Sequence, residues 1–324
     1  MRIVLCYPVE KRHYDQIAAV APQAELIDAG QHRIAEEIMA ADIFCGHAKV
    51  PMDWPAVVRA GRLRWIQSSA AGLDHCLVPS VVESDITVTS ASGVLADQVA
   101  EHAMALICGI TRSLPVFFRA QQAREFVRRP TRDLHHATVG IVGLGGVGRR
   151  IAEVVSPFKT RILAVDVFPV DKPSHVEELW PVERLDEMLR QVEVLFLAAP
   201  LTPWSRGMID AAKLALLPPG AILINVARGP LVVEADLVAA LRAGHLAAAG
   251  LDVTEEEPLP TVSPLWDFEN VIITPHVGGQ SRLRIDQMTD FFCANLARYL
   301  AGQPLANLVD KRLGFPIRVA KTAR

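Results

Sequence analysis

The segment Thr138–Gly148, which reads TVGIVGLGGVG, constrains the fold of this chain more than any other. An apolar run, Val139–Val142, has the composition of a buried strand and ends in the pattern Gly143-x-Gly145-x-x-Gly148. The residues that follow repeat apolar side chains at helical spacing. A strand, a glycine turn and a helix in this order leave unpaired backbone N–H groups at the helix start, where a pyrophosphate fits. The segment therefore predicts a dinucleotide-binding site.

A glycine-rich turn between a strand and a helix can also be purely structural. The downstream sequence favours the nucleotide site, because a second apolar run, Arg161–Val165, ends at Asp166. An acidic residue at about this distance meets the ribose hydroxyls of the adenosine. Its carboxylate would repel a 2′-phosphate, and Val167 rather than an arginine follows it. The sequence therefore favours NAD(H) over NADP(H) as the cofactor.

Length and composition limit the class of protein. A chain of 324 residues favours two domains, and a formal charge of −3 gives no general attraction to nucleic acid or acidic membranes. No apolar stretch reaches membrane-spanning length, and the N-terminus lacks the pattern of a secretory or transit peptide. The five cysteines are odd in number and scattered, which indicates free thiols in a reducing compartment. We expect a soluble, cytoplasmic protein that binds neither nucleic acid nor membranes.

Strand-like and helix-like segments alternate along the chain, which predicts an α/β fold with parallel sheets covered by helices on both faces. The strands are predicted at residues 3–6, 43–45, 64–67, 87–89, 139–142, 161–165, 194–197, 221–224, 248–251 and 271–273. The helices are predicted at residues 14–21, 51–60, 94–110, 149–155, 185–191, 210–217, 234–243 and 283–300. We expect the last helix to cross back onto the first array. The polar segment Arg112–His136, interrupted by Pro115 and Pro130, is expected to be a solvated connection or a packing arm.

Three polar residues follow predicted strands of the second array: Arg228, Glu257 and His276. Ligands of open α/β sheets bind beyond the carboxyl ends of the strands. There an arginine can polarise a carbonyl and hold a carboxylate, a histidine can supply a proton, and an acid can orient the imidazole. Each residue also has a simpler explanation, as a turn arginine, a solvated acidic loop or a backbone-bonded histidine. Together they favour reduction of a carbonyl by a nicotinamide.

Several segments carry a resemblance to a known family: Gly143–Gly148, Asn225–Gly229, Gly250–Val253 with Glu257-Pro258-Leu259, Thr274–Gly279, Val99–His102 and Pro200–Thr202. In order, spacing and residue type they resemble the signatures of the D-isomer-specific 2-hydroxyacid dehydrogenases. The resemblance implies two doubly wound parallel-sheet domains, with a Rossmann nucleotide domain inserted into a flavodoxin-like substrate domain. The substrate (catalytic) domain would comprise residues 1–102 and 285–324, and the NAD-binding domain residues 103–284. It also implies an active site in the cleft and a homodimer joined through the nucleotide domains.

The resemblance also implies roles for individual residues. Arg228, Glu257 and His276 match the catalytic set, and Arg228 and His276 would also contact the substrate. The backbone N–H groups of Ala71 and Gly72 would receive the substrate carboxylate. Asp252 matches the aspartate that holds the nicotinamide carboxamide. The cofactor-binding set would be Gly143, Gly145, Gly146, Val147, Gly148, Asp166, Pro200, Ala227 and Asp252. The other histidines, among them His75 and His102, are predicted to be structural, and no metal-ligand spacing occurs.

The substrate is less constrained than the chemistry. In the phosphoglycerate dehydrogenases of this family an arginine near the start of the turn after residue 44 helps to hold the phosphate, and here Cys45 aligns with it. Because the chain ends soon after Phe315, we expect no regulatory domain. A small 2-keto acid such as glyoxylate or hydroxypyruvate is therefore favoured, with 3-phosphoglycerate as the alternative. An alternative of another class is a dinucleotide-sensing corepressor or scaffold built on the same fold.

Overall fold

A computed structural model of the chain describes residues 1–317, and the end of the predicted substrate domain, residues 318–324, lies outside the described residues. The chain divides into two compact units. The first comprises Met1–Leu95 and the segment that begins at Ser281, and the second comprises Ala96–Gln280. The sequence analysis placed the corresponding boundaries a few residues later, at 102/103 and 284/285.

The strands are β1 (Arg2–Cys6), β2 (Glu25–Asp28), β3 (Ile43–Gly46), β4 (Trp65–Ser68), β5 (Thr87–Thr89), β6 (Thr138–Val142), β7 (Arg161–Asp166), β8 (Glu178–Pro181), β9 (Val194–Leu197), β10 (Ala221–Asn225), β11 (Leu246–Leu251), β12 (Val271–Ile273), β13 (Val309–Asp310) and β14 (Phe315–Pro316). The helices are α1 (Lys11–Val20), α2 (Ile34–Glu37), α3 (Trp54–Ala60), α4 (Pro79–Val82), α5 (Ala96–Thr111), α6 (Leu114–Ala123), α7 (Gly146–Val155), α8 (Leu185–Leu189), α9 (Ala211–Leu216), α10 (Glu234–Arg242) and α11 (Arg284–Leu300). Short 3₁₀ turns connect several of them.

Each unit is built on one parallel sheet. In the first unit the strand order is β2-β1-β3-β4-β5, and in the second it is β12-β11-β10-β9-β6-β7-β8. Numbered within each unit, these are the flavodoxin-like order 2-1-3-4-5 and the Rossmann order 3-2-1-4-5-6 with one strand added. The predicted class, α/β with two doubly wound parallel sheets, is confirmed. Because all strands of a sheet run the same way, the residues that follow them gather at one edge.

Both faces of each sheet are buried, as the nearly continuous apolar strands predict. Along β7, Ile162 and Ala164 pack in one core cluster while Leu163 and Val165 pack in the other. The first unit repeats this alternation along β1. Helix α11 covers one face of that sheet through Phe292 and Leu296, so the expectation for the last helix is confirmed.

The segment Arg112–His136 differs from its prediction, because it contains helix α6, Leu114–Ala123. Pro115 lies in the first turn of this helix, where its missing N–H costs nothing, so it starts the helix rather than breaking it. The helix ends at Ala123, and Arg124 directly after it adopts a left-handed conformation with φ 59°. The sequence analysis treated proline as a helix breaker at a position where it favours a helix start.

The edge strands β2 and β8 were also missed. Their sequences, ELID and ELWP, mix charged with apolar residues, and β2 carries no fully buried residue. An edge strand is paired on one side only and needs little apolar surface. It therefore leaves a weak signal in the sequence.

Within residues 1–317 no single helix is long and apolar enough to cross a membrane. Helices α5 and α6 reach that length and composition only when they are taken together, and they meet at a bend of 65°.

Trp65 tests how α11 stabilises the first unit. Its fully buried ring packs on Tyr299 and Phe292 at centroid distances of 5.1 Å and 5.6 Å, and its Nε1–H donates to Thr89 Oγ1 at 2.7 Å. We expect Trp65→Ala to lower the free energy of unfolding in urea by about 3–5 kcal/mol, the usual cost of such a cavity. Trp204→Ala, which removes a 73% exposed ring, should change it by less than about 0.5 kcal/mol. Equal effects of the two variants would contradict this account of the core.

Candidate active site

The glycine turn after β6 brings three backbone segments close together. Gly143 has φ 90°, and a Cβ there would lie 2.8 Å from the Ala199 backbone, while a Cβ at Gly148 would lie 2.0 Å from the Gly143 carbonyl oxygen. Side chains at these two positions would therefore force the turn open. Around Gly145, which caps α7, a Cβ would meet nothing within 4 Å. The turn thus has an open cradle at a helix N-terminus, which fits a pyrophosphate.

Asp166, at the end of β7, is bonded directly to this turn. Its carboxylate accepts the Leu144 N–H at 2.7 Å with one oxygen and the Phe168 N–H at 2.8 Å with the other. Arg149 ties the same region together by donating to the carbonyls of Leu144 and Val170 at 3.1 Å and 2.8 Å. The negative charge predicted to face the adenosine ribose therefore lies beside the glycine turn.

The other predicted cofactor residues follow strands of the same sheet. Gly146 and Val147 open helix α7. Pro200, Ala227 and Asp252 follow β9, β10 and β11, which are adjacent strands near the centre of the sheet. Parallel strands end at a common edge, so the structure brings this set to the edge where nucleotides bind in such folds.

Glu257 and His276 form a direct contact. His276 Nδ1 lies 2.8 Å from Glu257 Oε2, and the two side chains are 39% and 45% exposed, Glu257 being the less exposed. A carboxylate can only accept, so the Nδ1 atom carries the proton of this hydrogen bond. The other ring nitrogen, Nε2, is thereby left to exchange a proton with a ligand.

The conformation of His276 is unusual for a residue with a side chain. Its φ is 53°, in the left-handed region, which costs on the order of 1–3 kcal/mol and persists only where the surroundings enforce it. Here the His276 N–H donates to the Asp252 carbonyl at 2.8 Å. Strain of this kind is concentrated at functional sites, which supports a role for the imidazole.

The turn that carries Arg228 is built by Asn225, the last residue of β10. The Asn225 side chain accepts the Ala227 N–H at 3.1 Å and donates to the Arg228 carbonyl at 3.0 Å. A Cβ on Gly229 would lie 1.7 Å from the Thr254 carbonyl oxygen, so this turn packs against the loop that holds Glu257. The guanidinium of Arg228 donates to the Ala227 carbonyl at 2.7 Å. The structure thus joins Glu257 to His276 directly and Arg228 to them through the backbone.

The predicted carboxylate loop belongs to the first unit and follows β4. Ser68 Oγ accepts the Ala70 N–H at 3.0 Å, and the Ala70 carbonyl accepts the Ala91 N–H at 3.0 Å. These bonds fix the backbone directly before Ala71, which is exposed, and Gly72, which is half-buried.

The sequence analysis missed two histidine contacts. His102, predicted to be structural, lies 2.8 Å from Thr274 Oγ1 and 3.2 Å from Asp252 Oδ1. His47 and His75, in the first unit, stack with ring centroids 3.9 Å apart. The first contact had a weak signal in the sequence, since His102 belongs to the signature segment Val99–His102.

Neither a disulfide nor a metal cluster contributes to the site in the part of the chain that the structure describes. All five cysteines are free thiols, and no group of three or more His, Cys, Asp or Glu side chains among residues 1–317 could hold a metal ion. Burial raises the pKa of the Cys76 thiol to about 12 and that of Cys6 to about 11, which keeps both thiols neutral.

Comparison with known proteins agrees with this geometry. The family model described as "D-isomer specific 2-hydroxyacid dehydrogenase, NAD binding domain" matches residues 104–278. A glyoxylate reductase of Pyrococcus furiosus is 31% identical over 294 residues, covering 87% of this chain and 86% of the relative.

Two solved structures have the same fold over nearly their whole length. A D-isomer specific 2-hydroxyacid dehydrogenase from Xanthobacter autotrophicus Py2, in complex with NADPH and MES, superposes with a TM-score of 0.83 at 30% identity, over 97% of this chain and 99% of that one. The NADPH-dependent glyoxylate/hydroxypyruvate reductase of Sinorhizobium meliloti, in complex with NADP and sulfate, gives 0.82 at 26% identity over the same shares. With a signature glycine turn, a Glu–His pair and a family model over more than half its length, this chain belongs to the D-isomer specific 2-hydroxyacid dehydrogenases, oxidoreductases that act on CH–OH groups.

Proposed function

We propose that this chain interconverts a small 2-keto acid and its D-2-hydroxy acid with NAD(H), and that its keto acid is glyoxylate or hydroxypyruvate. The observation that carries the proposal is the Glu257–His276 pair, 2.8 Å apart, at the carboxyl edge of a Rossmann sheet whose glycine turn is open at Gly145. Such a pair serves a reaction in which an oxygen atom gains or loses a proton.

A bound nicotinamide would supply a hydride to the carbonyl carbon of the substrate. The side chains of this protein would bind and orient the substrate and transfer the proton. His276 Nε2 gives a proton to the carbonyl oxygen as negative charge develops there. Glu257 accepts the Nδ1–H, which fixes the orientation of the imidazole ring. Arg228 polarises the carbonyl and holds the substrate carboxylate with parallel hydrogen bonds. For the backbone N–H groups of Ala71 and Gly72, the family resemblance implies a role in binding the substrate carboxylate. The carboxylate of Asp252 and the segments at Pro200 and Ala227 would hold the cofactor.

The absence of a cation at position 45 supports a small, unphosphorylated substrate. Cys45, which aligns with the phosphate-binding arginine of phosphoglycerate dehydrogenases, is 1% exposed. Burial raises the pKa of its thiol well above the usual value, so the group is neutral. A neutral buried thiol offers a phosphate no attraction. The names of the relatives, glyoxylate and hydroxypyruvate reductases, point to the same substrate class.

Asp166 supports NAD(H) as the preferred cofactor. Its carboxylate is held against the glycine turn by the Leu144 and Phe168 N–H groups, so it cannot swing away from a 2′-phosphate without breaking two hydrogen bonds. The two structural neighbours were solved with NADPH or NADP, so activity must be measured with NADPH as well as with NADH.

An exposed apolar surface on the second unit supports a homodimer. Phe118 and Phe126 are 58% and 91% exposed, and a cavity of about 440 Å³ lies between α6 and the residues that follow it, including Phe126 and Val127. Apolar side chains this exposed are typical of association surfaces. Sedimentation velocity should show a species of twice the chain mass.

The free thiols suit the reducing conditions of the cytoplasm, where we place the enzyme.

The decisive assay is NADH and NADPH oxidation against a panel of 2-keto acids that includes glyoxylate, hydroxypyruvate and 3-phosphohydroxypyruvate. We expect turnover of one of the first two with NADH. A preference for 3-phosphohydroxypyruvate would instead support the phosphoglycerate dehydrogenase alternative. Tight NADH binding without turnover would support a dinucleotide-sensing corepressor or scaffold.

The cradle at Gly145 can be tested separately from catalysis. Gly145→Ala adds a methyl group that meets no protein atom, so the midpoint of thermal unfolding should not change, but the methyl blocks the approach of a pyrophosphate. We expect the Kd for NADH, measured by fluorescence titration, to rise at least about tenfold, which corresponds to about 1.4 kcal/mol. Gly148→Ala should lower the unfolding midpoint as well, because its Cβ would lie 2.0 Å from the Gly143 carbonyl oxygen. Unchanged NADH affinity in Gly145→Ala would place the pyrophosphate elsewhere.

The role of His276 gives a kinetic prediction. His276→Ala should lower kcat for keto-acid reduction by about 10²–10⁴, the usual contribution of a general acid, with little change in the Kd for NADH. The matched control is His32→Ala, which removes an exposed histidine of the first unit and should leave kcat unchanged. A near-normal kcat in His276→Ala would remove this residue from the mechanism.

The charge at Asp166 gives a prediction on cofactor preference. Asp166→Asn keeps an acceptor for the turn but removes the repulsion of a 2′-phosphate, so kcat/KM for NADPH should rise about tenfold relative to kcat/KM for NADH. Glu183→Gln makes the same change of net charge elsewhere in the second unit and should leave the ratio unchanged. If Asp166→Asn also left the ratio unchanged, this carboxylate would not decide the cofactor.

A further inference from the structure

The turn that carries His276 is anchored on one buried carboxylate. Asp252, 3% exposed, accepts the Val277 N–H at 2.9 Å with Oδ1 and the Gly278 N–H at 2.8 Å with Oδ2. Oδ1 also accepts the hydroxyl of Thr274 at 2.7 Å. The donors therefore come from both sides of His276, and the carboxylate closes the turn around it.

One further donor reaches this carboxylate from another element. His102, on helix α5, places Nε2 2.8 Å from Thr274 Oγ1 and 3.2 Å from Asp252 Oδ1. The Thr274 hydroxyl has a single hydrogen, which it gives to the carboxylate, because a carboxylate cannot donate in return. Its oxygen is then an acceptor toward His102, so Nε2 of His102 carries a proton. The alternative tautomer would point a lone pair at the Asp252 carboxylate.

The position of His102 is fixed by its helix. Its neighbours Ala100 and Ala103 are fully buried, and α5 packs on α7 and on strands β10 and β11. Its side chain is 19% exposed. The imidazole therefore acts from a rigid element on a turn that has little regular structure of its own.

We propose that His102 is a positioning residue for His276: acting through Thr274 and Asp252, it sets the turn that aims the catalytic imidazole. The inference rests on the proposed function for its kinetic consequences, but not for its structural ones. Without the Nε2–H, the buried Asp252 carboxylate and the half-buried Thr274 hydroxyl lose a hydrogen-bond donor, and the turn that they hold can shift. The left-handed His276 is sensitive to such a change, because its N–H donates to the Asp252 carbonyl and the flanking Thr274 and Val277 donate to the Asp252 carboxylate.

The kinetic test uses two substitutions at one position. His102→Leu keeps the apolar volume but removes the donor, whereas His102→Gln places an amide N–H near the position of Nε2. In the Leu variant we expect kcat to fall about 10–100-fold, because a displacement of a catalytic group by about 1 Å has an effect of this size. The KM for the keto acid and the Kd for NADH should stay within about threefold, and the Gln variant should recover most of kcat. A role in packing alone predicts the reverse, with Leu better tolerated than Gln.

A measurement that needs no turnover keeps the inference separate from the proposed function. The imidazole ¹⁵N chemical shifts of His276, identified by comparison with His276→Ala, report the hydrogen bond between Nδ1 and Glu257. We expect them to move in His102→Leu and to return in His102→Gln, measured at a temperature at which all three proteins are folded. Unmoved shifts in the Leu variant would overturn the positioning role, as would a loss of kcat that only follows a loss of folded protein. If the wild type reduced no keto acid at all, the proposed function would fail while the shift experiment still decided the role of His102.

Discussion

The geometry of the site depends on how a single buried charge is satisfied. Removing a carboxylate from water is costly unless donors surround it, and Asp252 is almost completely buried. Its donors are supplied by the turn at residues 274–278 and by a helix from a distant part of the chain. The requirement to satisfy this charge therefore decides where the turn lies, and with it the direction of the imidazole at its centre.

Close backbone approach is the second constraint on the same edge of the sheet. Gly148 packs against the carbonyl of Gly143, and Gly229 packs against the carbonyl of Thr254, at distances that exclude any side chain. The first contact shapes the cradle for a pyrophosphate, and the second brings the turn of Arg228 against the loop of Glu257. Neither glycine acts chemically, yet each allows two loops to lie closer than other residues would permit. The candidate catalytic side chains can thus be rigidly placed although they lie on irregular segments.

The parts of this protein that could be predicted are those with a local cause. The apolar runs of the central strands, such as Val194–Leu197, are recognisable because both faces of a parallel strand are buried. The polar residues directly after those strands are recognisable as site candidates, because parallel strands end together. The edge strands β2 and β8 were missed, since an edge strand needs little apolar surface and leaves a weak pattern. Helix α6 was misjudged, since a proline in the first turn starts a helix whereas one in the interior breaks it.

By itself the sequence determined the fold class, the position of the dinucleotide turn and the three residues of the candidate catalytic set. Each of these depends on residue type and on spacing over short stretches of the chain. The sequence could not show which residues far apart in the chain form hydrogen bonds with each other. His102 and Thr274 are 172 residues apart and carry no common pattern, and the bonds of Asp252 to the turn at residues 274–278 have no signal in the sequence. The tertiary structure decided those contacts, because which donor reaches a buried carboxylate depends on how helices and strands pack and not on the residues beside it in the chain.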